Sequence, residues 1–166
     1  FYPCTLIDEV ERKGRSWRKF FPKYKAFVDR LPIAAVVPGY ALLVHGGISS
    51  AITTITDLES PSSLIESDIL WSDPGNESGQ HRSPRGAGKL FGPDISLAVL
   101  DGLGVRHVFR SHQPRRASKG PVIEHGTRVV TTSCTSVYGG RAFAMVLPVG
   151  RLPEAAQEIT ACAEFL

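Results

Sequence analysis

The sequence lacks the features that mark secreted or membrane-spanning proteins. Its 166 residues include only three cysteines, an odd number at wide spacing, so a disulfide framework is not expected and reduced thiols fit best. The sequence also contains no Cys-x-x-Cys pair of the kind that indicates a zinc site. No apolar run approaches the roughly 20 residues that a membrane helix needs, and the first residues carry no signal-peptide pattern. These absences favour a cytoplasmic protein with no membrane partner.

The charge of the chain is small for a nucleic-acid-binding protein. The formal net charge is +3 and the pI is about 8.9, which suits an anionic substrate but is too weak to indicate nucleic acid. Hydrophobic residues make up 42% and charged residues 21% of the chain, as in a globular domain. The sequence has no internal repeat and no low-complexity tract, and the composition leaves the oligomeric state open.

Helical patterns come first along the chain and strand patterns follow. Helix-like spacing up to Lys13 and an apolar stripe after Ser16 predict two helices, with a kink or restart at Pro22. Apolar runs predict a hairpin over 33–37 and 40–44, a strand over 105–109, a hairpin over 122–125 and 128–132, and a strand over 142–149. This order predicts sheets packed against helices, an α+β or α/β fold, rather than a barrel.

The other segments are assigned from their caps and breakers. Thr56 or Ser60 is a candidate helix cap, and residues 93–103 have the pattern of a helix that stops at a glycine. Residues 74–87 are rich in glycine, proline and charge, which predicts a long surface loop. Residues 152–166 are predicted to form an amphipathic helix or a partly ordered tail.

Two histidines follow predicted strands. His45 stands in Leu-Val-His-Gly-Gly and His112 in Phe-Arg-Ser-His-Gln, each at the end of an apolar run. Because strand ends of one sheet edge can converge, the pair could bind a metal through neutral imidazole nitrogens. Taken alone, a histidine in such a position is more often structural. A metal site would also need carboxylate ligands, and the sequence offers no obvious pair of them.

The segment between the histidines holds further candidates. Arg85 lies among glycines and could bind a phosphate through two parallel hydrogen bonds, or it could be a solvated loop arginine. Asp73 could be a turn residue, an acceptor for Arg85 or a substrate-side carboxylate, and the turn is the default. Trp71 is expected in the core. Tyr138 could hydrogen-bond a phosphate or simply pack.

Several other polar residues carry weaker signals. The basic stretch of Arg115, Arg116 and Lys119 is expected to be a solvated face. The remaining histidines are expected at the surface or at strand edges, namely His81, His107 and His125. The sequence identifies no general base that would activate Cys134, which argues against a cysteine nucleophile.

Four motifs in order resemble those of the PPP-type serine/threonine protein phosphatases, in the calcineurin-like metallophosphoesterase superfamily. Leu-Leu-Val-His45-Gly-Gly-Ile-Ser is similar to the first-histidine motif of the family, and Asp-Ile-Leu-Trp-Ser-Asp-Pro74 is similar to its Leu-Leu-Trp-Ser-Asp-Pro segment. Pro-Arg85-Gly followed by Phe-Gly resembles its Asp-Arg-Gly and Phe-Gly pair, and Arg-Ser-His112-Gln resembles its Arg-Ala/Ser-His-Gln/Glu motif. The resemblance covers about Leu31 to Leu147 and is closer to the prokaryotic branch.

The resemblance implies a fold, a reaction and a set of site residues. The fold is a β-sandwich flanked by helices, and the reaction is two-metal hydrolysis of phosphoserine or phosphothreonine in protein substrates. His45 and His112 would ligate one of two divalent metals, with manganese as the expected ion and iron, zinc or cobalt as alternatives. Arg85 would bind the substrate phosphate and serve catalysis. Tyr138, aligned within one residue of a family tyrosine, would also contact the phosphate.

The N-terminal motifs of the family do not occur in the sequence. Gly-Asp-x-His-Gly, Gly-Asp-x-x-Asp-Arg-Gly and Gly-Asn-His-Glu supply the other metal ligands, the bridging aspartate, a second phosphate arginine and the acid histidine. We therefore expect residues 1–150 to be the C-terminal portion of a metallophosphoesterase domain incomplete at its N-terminus, with 151–166 as a C-terminal helix or tail. The 166-residue chain alone would be inactive. The alternatives are a truncated, non-catalytic binding module and a phosphoesterase acting on nucleotides or small phosphoesters.

Overall fold

Backbone contacts divide the chain into a short N-terminal unit, residues 1–32, and a larger unit, residues 33–166. The structure is a computed structural model that describes residues 5–132 and 138–166. Across these two described ranges, every helix is too short or too polar to cross a membrane. His45, Arg85, His112 and Tyr138 all belong to the larger unit.

The N-terminal unit contains the two helices that the sequence predicts. Helix α1 spans Thr5–Arg12 and helix α2 spans Trp17–Val28. Ser16 occupies the N-cap position of α2, although its side chain makes no capping hydrogen bond. Pro22 lies inside α2, so the helix does not restart there. A proline in the second turn of a helix removes one backbone donor and is tolerated near the N-terminus better than in the interior.

The larger unit contains both strands and helices. In chain order its elements are β1 (Ala34–Val37), β2 (Ala41–Val44), α3 (Thr56–Glu59), α4 (Ser63–Trp71), β3 (Asp73–Pro74), β4 (Gln80–Arg82), β5 (Lys89–Phe91), α5 (Pro93–Leu103), β6 (His107–Arg110), β7 (Val122–Glu124), a 3-10 turn (His125–Thr127), β8 (Val129–Thr131), β9 (Phe143–Met145), α6 (Ala156–Ala161) and β10 (Ala163–Phe165).

A five-stranded mixed sheet with the order β1-β2-β6-β8-β7 forms the centre of this unit. Strands β2, β6 and β8 are parallel, and the outer strands β1 and β7 pair antiparallel to them. The hairpins β1-β2 and β7-β8 confirm the sequence prediction. Two smaller sheets accompany it, one of β3, β5 and β4 and one of β9 and β10.

Both faces of the central sheet are covered. Along β2, β6 and β8, neighbouring residues belong to two different buried clusters, because successive side chains in a strand point to opposite faces. One cluster joins Leu42, Val108 and Val129 to residues of α4 and α5. The other joins Ala41, Phe109 and Val130 to Ile159 of α6. The expected fold class, with sheets flanked by helices, is confirmed.

Several boundaries differ from the sequence prediction. The segment 74–87 is not a continuous loop, because it contains β4, which pairs with β5. Ser62, rather than Thr56 or Ser60, caps α4 by accepting a hydrogen bond from the Ile65 amide. The strand predicted over 142–149 is shorter in the structure, where β9 covers only part of that range. Strand β9 pairs with β10, which lies inside the segment expected to be a helix or tail. Short strands have too few residues for periodicity to reveal them.

Candidate functional site

The two histidines lie at the same edge of the central sheet. In the parallel register of β2 and β6, Val44 lies opposite Arg110, so the turns that follow each strand leave the sheet side by side. His45 comes directly after Val44 and His112 two residues after Arg110. Their ring centroids are 5.2 Å apart, and the Ser111 amide donates a 2.9 Å hydrogen bond to the His45 carbonyl.

Two glycines allow the His45 turn to pack against the end of α4. The amides of Gly46 and Gly47 both donate to the Ile69 carbonyl, at 2.7 and 3.2 Å. A Cβ atom at Gly46 would lie 2.7 Å from the Leu70 carbonyl oxygen, and one at Gly47 would lie 2.5 Å from Cε1 of Phe91. Glycine is required here because larger residues cannot approach the backbone so closely.

The imidazole of His112 is held from both sides. Its Nδ1 lies 3.3 Å from Oδ1 of Asp73, and its Nε2 accepts a 2.9 Å hydrogen bond from Nη2 of Arg85. A carboxylate at Nδ1 and a donor at Nε2 favour the tautomer with its proton on Nδ1, and the Nε2 lone pair is then occupied by Arg85. His112 has a φ of 73°, a left-handed conformation that is uncommon outside glycine and is often found at functional sites.

Arg85 reaches His112 from the connection between β4 and β5. Gly88 has a φ of +65°, and a Cβ atom there would overlap the Trp71 carbonyl, so this connection lies directly against the end of α4. The Arg85 side chain remains 43% exposed, and its Nη1 lies 3.5 Å from Oδ2 of Asp73. A half-exposed guanidinium of this kind can turn toward an anion in solvent.

A buried ion pair lies beneath these exposed groups. Nη2 of Arg110 donates a 2.6 Å hydrogen bond to Oδ1 of Asp73, and both side chains are buried. Arg110 also donates to the Gly46 carbonyl, to Oε1 of Gln113 at 2.8 Å and to Oγ1 of Thr131 at 3.1 Å. The guanidinium therefore uses its fork of donors on four partners at once.

The electrostatics of the site favour neutral imidazoles. Burial lowers the pKa of His45, and the charge of Arg110 lowers it further. Burial also lowers the pKa of His112, where the Asp73 carboxylate opposes the shift and Arg85 adds to it. Burial lowers the pKa of Arg110 to about 10, against the raising effect of Asp73, so this arginine stays charged at neutral pH. Only a neutral imidazole can ligate a metal.

Three of the four predicted site residues come together. His45, His112 and Arg85 share the sheet edge described above, whereas Tyr138 is 60% exposed and, among the described residues, no hydrogen bond joins it to the other three. Cys134 lies outside the described residues. Asp73 is a buried carboxylate that accepts a hydrogen bond from Arg110 and forms an ion pair with Arg85. This arrangement agrees with the predicted pairing with Arg85 rather than with the default turn.

Other expectations for single residues were wrong. Trp71 is 39% exposed rather than in the core, and its ring meets His112 edge-on at 5.8 Å between centroids. His107 is buried, with Nδ1 2.8 Å from the Thr127 carbonyl. His125 is half-buried between Oγ of Ser96 and the Gly75 carbonyl. Of the three histidines expected at the surface or at strand edges, His107 on the central strand β6 is the one that is buried, whereas His81 is exposed and His125 follows the edge strand β7.

Sequence reasoning missed Arg110 and Gln113. The available signal was a charged residue at the end of an apolar run, since a charge in a buried strand must find a partner. Arg110 is the residue that directly follows the apolar run 105–109 and precedes Ser111 and His112. Its partner Asp73 comes from a distant part of the chain, so spacing alone could not identify the pair.

The donor set fits part of a metal centre. His45 and His112 offer neutral nitrogens to one side of the site, and Asp73 supports the ring of His112 in the manner common for metal-binding histidines. Within residues 5–132 and 138–166, however, no three or more His, Cys, Asp or Glu side chains are grouped to hold a metal ion. The two imidazoles therefore fit two ligands of a larger set.

Comparison with known proteins identifies relatives of this chain. The family model for calcineurin-like phosphoesterases matches residues 6–116. A serine/threonine-protein phosphatase of Caenorhabditis elegans is 35% identical over 114 residues, which are 64% of this chain and 25% of that protein. Human serine/threonine-protein phosphatase 5 is 31% identical over 138 residues, 78% of this chain and 27% of its own length.

A solved structure shows the same fold. A protein serine/threonine phosphatase from Saccharomyces cerevisiae, described as similar to human phosphatase PP5, superimposes with a TM-score of 0.74 and 25% sequence identity. The match covers 96% of this chain and 53% of the yeast chain, and the chain spans about a quarter of the length of the curated relatives. With most of its residues matched by the family model, the chain belongs to the calcineurin-like phosphoesterase family.

Proposed function

We propose that the chain is the C-terminal portion of a protein serine/threonine phosphatase, with His45 and His112 as metal ligands and Arg85 as the residue that binds the substrate phosphate. The convergence of these three side chains at one edge of parallel strands carries the proposal. The proposal keeps residues 1–150 as part of the catalytic domain, 151–166 as its C-terminal segment, and Tyr138 as a second phosphate contact.

The relatives support this substrate class. Serine/threonine phosphatases act on phosphorylated proteins, and calcineurin-like phosphoesterases generally depend on two metal ions. When bound, these ions supply Lewis-acid activation of water and neutralise the charge that develops on the phosphoryl group. We propose manganese as the metal, a cytoplasmic location and a closer relation to the prokaryotic branch.

Arg85 has the chemistry and the freedom that phosphate binding needs. Its guanidinium can donate two parallel hydrogen bonds to phosphoryl oxygens, and these bonds strengthen as negative charge develops during transfer. In this structure the same group donates to Nε2 of His112. Arg85 must release that nitrogen before His112 can ligate a cation, so ligand binding and arginine movement are linked.

Phosphatase activity is tested with the complete reading frame. We expect turnover of p-nitrophenyl phosphate and of a phosphoserine peptide in manganese, lost in His45→Ala, His112→Ala and Arg85→Ala. The exposed Arg106, which pairs with Glu154, provides the matched control Arg106→Ala, which should retain activity. The 166-residue chain alone should not turn over, because the other ligands of the family are missing from it. Robust turnover by this chain that both histidine variants abolish would refute the fragment proposal.

A non-catalytic module that binds phosphate is the second candidate. Its support is the incomplete donor set in the described residues beside Arg85, whose half-exposed side chain can turn from Asp73 toward an anion. The coding sequence upstream of Phe1 discriminates the two. The three missing family motifs there would support the phosphatase, whereas a start codon and unrelated sequence would support the module. A phosphoesterase for nucleotides or small phosphoesters would instead prefer those substrates over the phosphopeptide.

A further inference from the structure

We propose that Arg110 is a positioning residue that sets the placement of His45, Asp73 and His112 relative to one another. This inference rests on the proposed function of the same site. Arg110 touches no substrate in the proposal, because its side chain is fully buried. It acts through the backbone and side chains that carry the site residues.

The contacts of Arg110 join three segments that are distant along the chain. Its Nε donates to the carbonyl of Gly46, the residue after His45. Its Nη2 holds Oδ1 of Asp73 at 2.6 Å, and the same oxygen lies 3.3 Å from Nδ1 of His112. Displacing the guanidinium would therefore affect both the His45 turn and the carboxylate that orients His112.

The third donor group of Arg110, Nη1, fixes the turn that follows strand β6. Nη1 bonds both Oε1 of Gln113, which follows His112, and Oγ1 of Thr131 on β8. The Thr132 amide donates to the Arg110 carbonyl at 2.7 Å, so the backbone of Arg110 is anchored as well. Each donor group of one planar side chain thus reaches a different part of the site.

A lysine cannot make this set of contacts. An ammonium group could satisfy the Asp73 carboxylate, but it is a compact point charge and lacks the rigid fork that spans the Gly46, Asp73 and Gln113 acceptors. Arg110→Lys therefore separates charge compensation from positioning. It keeps the buried carboxylate paired, which limits the loss of stability, and removes the bond to Gly46 that fixes the His45 turn.

The test is an NMR measurement of the histidine rings in the metal-free 166-residue chain. We expect the Cε1–Hε1 signals of His45 and His112 to move in Arg110→Lys beyond their line widths, while the signal of His125, held by Ser96 and Gly75, stays in place. In the control Arg106→Lys, the signals of His45 and His112 should not move. We also expect inorganic phosphate, followed through the same signals, to bind more weakly to Arg110→Lys, because the displaced Asp73 carboxylate also pairs with Arg85.

The His45 signal decides the proposal. Asp73 makes no contact with His45, but the His112 ring that it holds lies 5.2 Å from the His45 ring. Asp73→Asn disturbs the carboxylate and leaves the Arg110–Gly46 bond in place, so the His45 signal must move further in Arg110→Lys than in Asp73→Asn. If Arg110→Lys does not fold, the double variant Asp73→Leu/Arg110→Met removes both charges, and its His45 signal must differ from the wild type. A wild-type His45 signal in a folded variant overturns the proposal. Failure of the wild-type chain and of the complete reading frame to bind phosphate would overturn the proposed function instead, and the ring signals would still decide the role of Arg110.

Discussion

Replacing Gly47 by alanine tests whether the His45 turn depends on close packing. The new methyl group would lie 2.5 Å from Cε1 of Phe91 and 2.6 Å from the Ser72 carbonyl oxygen, whereas favourable carbon contacts lie at about 3.5–4.0 Å. Phe91 and Ser72 are fully buried, so neither neighbour can move into solvent. The φ of Gly47 is an ordinary one, and backbone strain does not contribute.

The expected cost follows from this overlap of about 1 Å on two sides. Overpacking a well-packed core costs typically about 1–3 kcal/mol, and two immobile neighbours place Gly47→Ala at the upper end, near 3 kcal/mol. For a chain of this size, each kcal/mol lowers Tm by roughly 2–4 °C. We therefore expect Tm to fall by about 10 °C and the His45 ring signal to shift.

Thermal unfolding followed by circular dichroism measures the effect. Gly150→Ala is the matched control, because no atom lies within 4 Å of its Cβ position, and it should leave Tm unchanged or raise it slightly. Phe91→Leu shortens the side chain that faces Gly47, so the double variant should lose less stability than the sum of the single variants. A Tm of Gly47→Ala that matches the wild type would refute the reasoning.

Two further predictions concern buried charge and protonation. Arg110→Met should lower the free energy of unfolding by about 3 kcal/mol because it leaves Asp73 buried and unpaired, and Asp73→Leu/Arg110→Met should recover most of it; urea unfolding measures both, and an equally unstable double variant would contradict the account. Burial lowers the pKa of His107 and of His125, so the unfolded chain binds protons that the folded chain does not. Stability should therefore be fully present above about pH 6.5 and fall as the pH drops below it. His107→Asn should flatten part of this slope, and an unchanged slope would show that His107 does not contribute.

Local patterns in the sequence predicted the frame of the site. Apolar runs and the Pro-Gly and Gly breakers indicated the hairpins β1-β2 and β7-β8, and the order of motifs pointed to a phosphoesterase. These features depend on neighbours along the chain, which is why they are visible without a structure. The short strands β3, β4 and β5 were not predicted, because two or three residues carry no usable period and only pairing with one another defines them.

The sequence by itself determined that His45 and His112 each follow a buried strand and that an arginine among glycines lies between them. Only the tertiary structure decided that the strands are adjacent and parallel, which brings both imidazoles to one edge. It also decided that Asp73 and Arg110 meet beneath them. Burial of a charge is favourable only when its partner arrives from elsewhere in the chain, and such long-range pairing leaves no local pattern from which it can be predicted.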